Sequence, residues 1–177
     1  SLEKAGHEVD IIDAIALALS KDEVNNRIKK FNPKIVGITA MTPTILGAFE
    51  AAKLAKENNA LTVIGGVHMS ILPLETLQQD FVDFGIVGEA EESLVKLCDA
   101  LENNESYENI TALCYKKDGR IVVGQPEFIN DVDSLPMPAF HLLPMEKYSS
   151  IIGLHPTSTM MGSRGCPYLC GFCYKTP

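Results

Sequence analysis

Short apolar runs alternate with helical stretches along the first half of the chain, and this alternation limits the folds that it can adopt. Runs rich in Val and Ile are predicted to be strands at Val9–Ile12, Ile35–Ile38, Leu61–Ile64 and Val82–Val87. Because neighbouring positions within each run are apolar, both faces of each strand are expected to lie under helices. The sequence therefore predicts an α/β fold with a doubly wound parallel sheet.

Amphipathic segments between the strands predict the helices that cover the sheet. The first is marked by Val24, Ile28 and Phe31, which share one helix face. Thr42 is expected to cap the second helix, with Pro43 at its first position. The predicted helices cover about Lys21–Phe31, Pro43–Asn58, Pro73–Asp80 and Glu91–Asn103.

The pattern changes after residue 104. A β-hairpin is predicted from strands at Ile110–Lys116 and Ile121–Val123, joined by an Asp118-Gly119 turn. Five prolines between residues 125 and 156 indicate a stiff, extended connector, and Thr157–Met161 is predicted to be a short strand. We therefore expect an α/β domain over 1–104, a connector over 105–156 and the start of a further domain over 157–177.

Both ends of the chain indicate a piece of a longer protein. Ser1–His7 has the pattern of the last turn of a helix that Gly6 ends. We expect a further strand before Ser1 and a continuation after residue 177. Since the missing strand would lie within the sheet, the edge left exposed is expected to favour dimerisation.

Charge and hydropathy exclude several classes of function. The net charge of −8 is opposite in sign to what binding of nucleic-acid phosphates requires. No uncharged apolar run reaches the ~18 residues of a membrane span, and no signal peptide is visible. We therefore expect a cytoplasmic protein with no nucleic-acid partner.

Three of the five cysteines, Cys166, Cys170 and Cys173, lie close together near the end of the chain. Their C-x3-C-x2-C spacing allows three thiolates to hold three irons of a cubane cluster, which leaves the fourth iron open to a small chelating molecule. Zinc is the alternative, although its fourth ligand would have to be the isolated His155. Cys98 and Cys114 are expected to be ordinary core residues.

The cysteine spacing, with an aromatic residue before the last cysteine, resembles the signature of radical S-adenosylmethionine enzymes. The resemblance implies a [4Fe-4S] cluster on Cys166, Cys170 and Cys173, with S-adenosylmethionine bound at the open iron. It also implies a 5′-deoxyadenosyl radical that abstracts hydrogen from a substrate, and an electron donor such as flavodoxin or ferredoxin. Thr157–Gly165 resembles the first strand of that family's partial barrel.

The loops that follow the second, third and fourth predicted strands are expected at one edge of the sheet, where ligands bind in α/β folds. They are Thr39–Thr44, Gly65–Ser70 and Gly88–Glu91. None matches a Walker loop or the dinucleotide-binding glycine fingerprint, so the sequence gives little support to nucleotide binding.

These loops, together with Leu2–Val9 and Leu135–Phe140, resemble the cobalamin-binding domains that precede a radical S-adenosylmethionine core. The resemblance implies a flavodoxin-like (Rossmann-like) domain. The residues that would contact cobalamin, mostly around the slot for its nucleotide tail, are Thr39, Ala40, Met41, Thr42, Gly65, Gly66, His68, Gly88 and Glu89.

Simpler interpretations of the same loops stay open. The two glycines could form only a tight turn, and the threonine hydroxyls could only cap a helix. A surface or supporting role is expected for His68 rather than cobalt ligation, and Glu89 and Glu91 could only favour a helix N-terminus. Ala90 stands where the related motif has glycine.

The resemblance implies radical hydrogen abstraction by the full-length protein, with methyl transfer from methylcobalamin as the leading reaction. Oxidative ring closure is the other option, because the subfamily includes the anaerobic magnesium-protoporphyrin monomethyl ester cyclase. The substrate would be a small molecule, such as a tetrapyrrole or a lipid, held by a barrel outside this chain, which is itself expected to be inactive. The alternative is a non-catalytic corrinoid-binding or docking module with a zinc site. A methylthiotransferase that acts on RNA is disfavoured by the acidic charge.

Overall fold

A mixed five-stranded sheet organises the computed structural model, which describes residues 1–150, 153, 155–168 and 170–173. Within these residues the strands are β1 (Ile35–Thr39), β2 (Leu61–Gly65), β3 (Phe84–Ile86), β4 (Leu113–Lys117) and β5 (Arg120–Val122). They lie side by side in chain order. β1, β2 and β3 run parallel, whereas β4 and β5 continue the same sheet antiparallel.

The α-helices are α1 (Lys21–Phe31), α2 (Ile45–Glu57), α3 (Val67–Ile71), α4 (Pro73–Leu77) and α5 (Ser93–Asn103). Helix α1 matches its predicted bounds, and a reciprocal capping box between Ser20 and Glu23 fixes its start. Short 3-10 turns lie at Glu3–Ala5, Thr42–Thr44, Val132–Ser134, Phe140–Leu142 and Met145–Lys147. Gly6 ends the first of them with φ 96°, as its position predicts. No helix among the described residues has the length and apolarity to cross a bilayer.

The core lies under the parallel strands. Val63 and Ile64 of β2 and Ile86 of β3 are buried, and Leu97 of α5 packs against them. At the amino ends of β2 and β3, the buried Thr62 hydroxyl donates to the Phe81 carbonyl at 2.8 Å. The Asp83 carboxylate accepts from the Thr62 amide at 2.8 Å. These bonds fix the two strands where they enter the sheet.

The structure confirms the α/β class and the parallel core but not the predicted winding of the sheet. A doubly wound sheet reverses its strand order partway, and among the described strands the order runs without reversal from β1 to β5. The hairpin pairs with β3 through Phe84 opposite Tyr115, so it extends this sheet rather than standing apart from it.

Two predicted strands are wrong. Val9–Ile12 is irregular, and its Ile11 amide donates to the Asp10 carboxylate instead of to a neighbouring strand. Thr157–Met161 is also irregular, with Met160 and Met161 exposed. An apolar run becomes a strand only when its backbone groups find a partner strand, and neither segment pairs with any described strand.

The start of α2 and the whole of α3 also differ from the prediction. Thr42 is not the cap of α2, because a 3-10 turn precedes the helix and the Thr44 hydroxyl accepts from the Met41 amide at 3.1 Å. Helix α3 occupies a segment that was predicted to be a loop. At five residues it is too short to show helical periodicity in the sequence.

Candidate functional site

The first two strand-end loops pack directly on each other. Because β1 and β2 are parallel, Thr39 and Gly65 end at the same edge of the sheet. The Ala40 amide donates to the Gly65 carbonyl at 3.0 Å, and the Ala40 carbonyl accepts from the His68 amide at 3.1 Å. The two loops therefore form one continuous backbone surface.

Gly66 makes this packing possible. Its φ of +92° lies in the left-handed region, and a Cβ there would stand 2.7 Å from the Ala40 carbonyl oxygen and 2.9 Å from the Thr39 hydroxyl. Gly65 differs, since a Cβ at that position would meet no atom within 4 Å. Gly66 thus serves the contact between the loops, whereas Gly65 leaves room for a ligand to approach the backbone.

His68 lies beneath this surface. Its side chain is buried, and Nδ1 lies 3.2 Å from the Thr42 hydroxyl. Nε2 is buried and has no hydrogen-bond partner within the described part of the chain. Of the two roles expected for His68, burial therefore excludes the one at the surface, and the supporting role stays a prediction. A buried nitrogen without a partner is costly, so this atom is a fit for a polar group of a bound ligand.

Exposed apolar side chains lie in the two loops and in the helices that follow them. Met41 is 58% exposed. Val67, the first residue of α3, is 51% exposed, and Leu74 in α4 is 54% exposed. Leu46 in the first turn of α2 is also exposed. Grouped apolar side chains of this kind are typical of a surface that another molecule covers. They fit a large and partly apolar ligand such as cobalamin.

The third loop is attached to the second one and to the connector. The Gly88 amide donates to the Ser70 hydroxyl at 2.9 Å, which joins this loop to α3. Gly88 also pairs with Glu127 in an isolated bridge. The Glu89 carboxylate accepts from the Ile129 amide at 2.8 Å.

Arg164 reaches this third loop from the segment that carries the clustered cysteines. Its guanidinium lies 3.2 Å from Glu89 and donates to Glu91. Partial burial works to raise the pKa of Glu91, but the hydrogen bond and charge of Arg164 outweigh it, so this pKa lies below its ordinary value. The hydrogen bond to Glu91 likewise raises the pKa of Arg164. The sequence gives no sign of the contacts of Arg164, since no local pattern links residues so far apart.

A cavity of about 250 Å³ lies beside the third loop rather than beside the first two. It is lined partly by Glu89, Glu92, Ser93 and Glu127. Its volume is below the roughly 300–1,000 Å³ of pockets that enclose small-molecule ligands. The residues of the loops after β1 and β2 do not line this cavity.

The three clustered cysteines are all exposed. The Cys173 amide donates to the Cys170 carbonyl at 3.1 Å, which closes a turn between them. Their donor chemistry fits a cluster held by three thiolates. Within the described residues, however, no three Cys, His, Asp or Glu side chains are gathered closely enough to hold a metal ion. The expected ligand set, including the zinc alternative with His155, stays a prediction.

The other two cysteines occupy the core positions that were expected. Cys114 in β4 is buried and Cys98 in α5 is half-buried. Burial raises the pKa of both thiols. Neither belongs with the exposed cluster.

Comparisons with known proteins agree with these features. The B12 binding domain family model matches residues 1–98. An uncharacterized methyltransferase, PH0819 of Pyrococcus horikoshii, is 38% identical over an alignment of 177 positions, which covers 98% of this chain and 38% of that protein. The anaerobic magnesium-protoporphyrin IX monomethyl ester cyclase of Rubrivivax gelatinosus is 33% identical over an alignment of 180 positions, which covers 96% of this chain and 32% of the cyclase.

Two solved structures share the fold at low sequence identity. The radical S-adenosylmethionine methyltransferase TsrM from Kitasatospora setae, with cobalamin and a [4Fe-4S] cluster bound, superposes with a TM-score of 0.62 at 20% identity. That match covers 68% of this chain and 25% of TsrM. The cobalamin-dependent enzyme OxsB, with aqua-cobalamin and S-adenosylmethionine bound, gives 0.62 at 18% identity, over 70% of this chain and 18% of OxsB. The chain spans about a third of the length of the two curated relatives named above.

Proposed function

The chain belongs to the B12-binding domain family, and we propose from this premise that it is the cobalamin-binding part of a radical S-adenosylmethionine enzyme. The single observation that carries the proposal is the joined surface after β1 and β2. There Gly66 packs on Ala40, Gly65 leaves its backbone open, and a buried His68 nitrogen lacks a partner within the described residues. TsrM and OxsB, which share the fold, are S-adenosylmethionine radical enzymes solved with cobalamin bound, and this supports the proposal.

The residues of this surface would have different roles in binding cobalamin. The open backbone at Gly65 would admit the nucleotide tail, while Gly66 holds the two loops together beneath it. Thr42 would fix the orientation of the His68 ring, so that Nε2 meets a polar group of the ligand. Cobalamin, when bound, supplies a carrier for a methyl group.

The clustered cysteines would provide the binding site for the second cofactor. Cys166, Cys170 and Cys173 would hold a [4Fe-4S] cluster, which would supply one electron to S-adenosylmethionine. An electron donor such as flavodoxin or ferredoxin would reduce it in the cytoplasm. The substrate would be a small molecule bound by parts of the full-length protein outside this chain.

Methyl transfer is the proposed reaction because the relative at 38% identity is named a methyltransferase. Oxidative ring closure on a tetrapyrrole is the second candidate, because the cyclase is 33% identical over almost the whole chain. Product analysis with the full-length protein separates the two, since methyl transfer adds one carbon to the substrate and ring closure adds none.

Cobalamin binding can be tested by titrating the chain, and the full-length protein in parallel, with aquocobalamin under visible spectroscopy. Gly65→Val places a side chain in open space and should weaken binding at least about tenfold without unfolding the protein. Gly37→Val in β1, where a Cβ also meets no atom within 4 Å, is the matched control and should bind as the wild type does. Equal binding by both variants, or none by either wild-type protein, would contradict the proposal.

The cluster can be tested by anaerobic reconstitution with iron and sulfide. We expect about four irons and four sulfides per chain, and their loss when the three clustered cysteines are replaced by Ala. Cys98→Ser is the matched control and should keep the iron, since that thiol lies in α5. A colourless protein that takes up only zinc would favour the alternative, a non-catalytic corrinoid-binding or docking module.

A further inference from the structure

Arg164 forms ion pairs with two carboxylates that lie far from it in sequence. One guanidinium nitrogen stands 3.2 Å from Glu89 Oε1, and the other donates to Glu91 Oε1. The three side chains are 28%, 20% and 31% exposed, in the order Arg164, Glu89, Glu91. Because they are partly shielded from water, their attraction is screened less than that of a fully exposed pair.

The carboxylate side of this contact is held in place independently. Glu89 uses its second oxygen to accept from the Ile129 amide at 2.8 Å. The adjacent Gly88 is fixed by the Ser70 hydroxyl and by its bridge to Glu127. The Glu89 carboxylate is therefore already oriented when Arg164 meets it, so this ion pair does not have to order two free side chains, which is the usual reason that surface ion pairs contribute little.

Arg164 lies close in sequence to the clustered cysteines, whereas its two partners lie at the carboxyl edge of the sheet. It lies two residues before Cys166, the first clustered cysteine, in a segment that forms no helix or strand. Glu89 and Glu91 follow β3, so they lie at the sheet edge that also carries the loops after β1 and β2. The ion pairs thus join the cysteine segment to the edge at which the candidate cobalamin site lies.

We propose that Glu89 and Glu91 are positioning residues, which with Arg164 form a carboxylate clamp that holds the cysteine segment at the carboxyl edge of the sheet. The consequence for a cluster rests on the proposed function, but the clamp itself does not. Loss of both carboxylates should free the segment, whereas loss of one should only loosen it, because the remaining partner still holds the guanidinium in a single direction.

Trypsin measures the clamp directly, since it cuts after Arg164 only when this side chain leaves its partners. We expect cleavage there to be about fivefold faster in the Glu89→Gln/Glu91→Gln double variant of the intact chain, and less accelerated in each single variant. Glu92→Gln is the matched control, because that neighbour pairs with Lys96 at 3.3 Å and not with Arg164. Cleavage after Arg120 in β5 serves as the internal reference.

Two results of the trypsin assay would contradict the clamp. Unchanged cleavage after Arg164 in the double variant would overturn it, as would equal acceleration after Arg164 and Arg120, which indicates general unfolding. Glu91→Asp keeps the negative charge, so trypsin should cut after Arg164 more slowly in this variant than in Glu91→Gln.

The rate at which the reconstituted protein loses iron to a chelator tests the positioning role separately from the stability of the fold. After reconstitution, the double variant should contain as much iron as the wild type but lose it severalfold faster, while Glu92→Gln behaves as the wild type. Equal rates of iron loss would overturn the positioning role. If the chain takes up no iron at all, the proposed function fails and the trypsin result still decides the clamp.

Discussion

Gly66 is the residue on which the contact between the first two loops depends most. Its backbone is left-handed, and the Ala40 carbonyl occupies the space that a side chain would need. We expect Gly66→Ala to lower the free energy of unfolding by about 1–3 kcal/mol, because backbone strain and a backbone clash both oppose it. Chemical denaturation monitored by circular dichroism measures the change.

Gly47, in contrast to Gly66, is a glycine at which an added side chain should stabilise the protein. It is exposed in α2, and a Cβ there would meet no atom within 4 Å. Gly47→Ala should therefore raise the free energy of unfolding by about 0.5–1 kcal/mol. Equal effects of the two substitutions would show that Gly66 is not held by the loop contact.

At the residue scale, the sequence predicted that the candidate binding residues lie at the carboxyl ends of the strands, as the structure shows, but it did not predict their contacts. Gly65, Gly66 and His68 were found because they follow a predicted strand within a recognisable motif. The burial of His68 and the partners of Arg164 depend on residues distant in the chain. Neither periodicity nor capping patterns carry that information.

At the scale of elements, helices were predicted better than strand pairing. The periodic face and capping box of α1 are local signals, and the helix has its predicted bounds. Val9–Ile12 has the composition of a strand, yet strand formation requires hydrogen bonds to a neighbour that composition does not specify. The same reason accounts for Thr157–Met161.

Helices α1 and α2 are joined by Glu50, which pairs with Lys21 at 2.9 Å and with Lys53 at 2.7 Å. Hydrogen bonds from Lys53 and Lys21 lower the pKa of Glu50 from 4.5 to about 2. Because the folded state lowers this pKa, the stabilisation is complete above pH 4.5 and is lost as the pH falls toward 2.

We therefore expect Glu50→Gln to flatten the decline of the melting temperature between pH 4.5 and 2, measured at low salt. Glu8→Gln, at an exposed carboxylate outside the helices, should leave the decline unchanged. A decline in Glu50→Gln as steep as in the wild type would refute the assignment.

Strands β2 and β3 depend on the buried hydroxyl of Thr62, which also accepts from the Asp83 amide at 2.9 Å. Thr62→Val keeps the shape of the side chain but leaves that amide and the Phe81 carbonyl without their partner. We expect the free energy of unfolding to fall by about 1–3 kcal/mol. Thr111→Val, at an exposed position, is the control and should change it by less than about 0.5 kcal/mol.

At the scale of the whole molecule, the cysteines divide into an exposed and a buried class. Cys166, Cys170 and Cys173 are exposed, whereas burial raises the pKa of Cys98 and Cys114. Since the thiolate is the reactive form, an Ellman assay at pH 8 should show three fast thiols and two slow ones. All five should react quickly after denaturation, and four or more fast thiols in the folded protein would contradict the described packing.

The whole-molecule organisation was also only partly predictable. The parallel strands followed from alternating apolar runs. The hairpin was assigned to the connector without a partner strand, and in the structure it extends the sheet, with Cys114 opposite Gly85. Turn chemistry at Asp118-Gly119 identifies the hairpin, whereas the edge to which it attaches is set by packing across the core.

The contact between Arg164 and the loop after β3 restricts how parts of this chain can be exchanged with those of its relatives. A crossover placed anywhere between residues 91 and 164 would separate the guanidinium from both of its partners. Chimaeras should therefore inherit all three positions from one parent, or compensate for the mismatch by a second substitution.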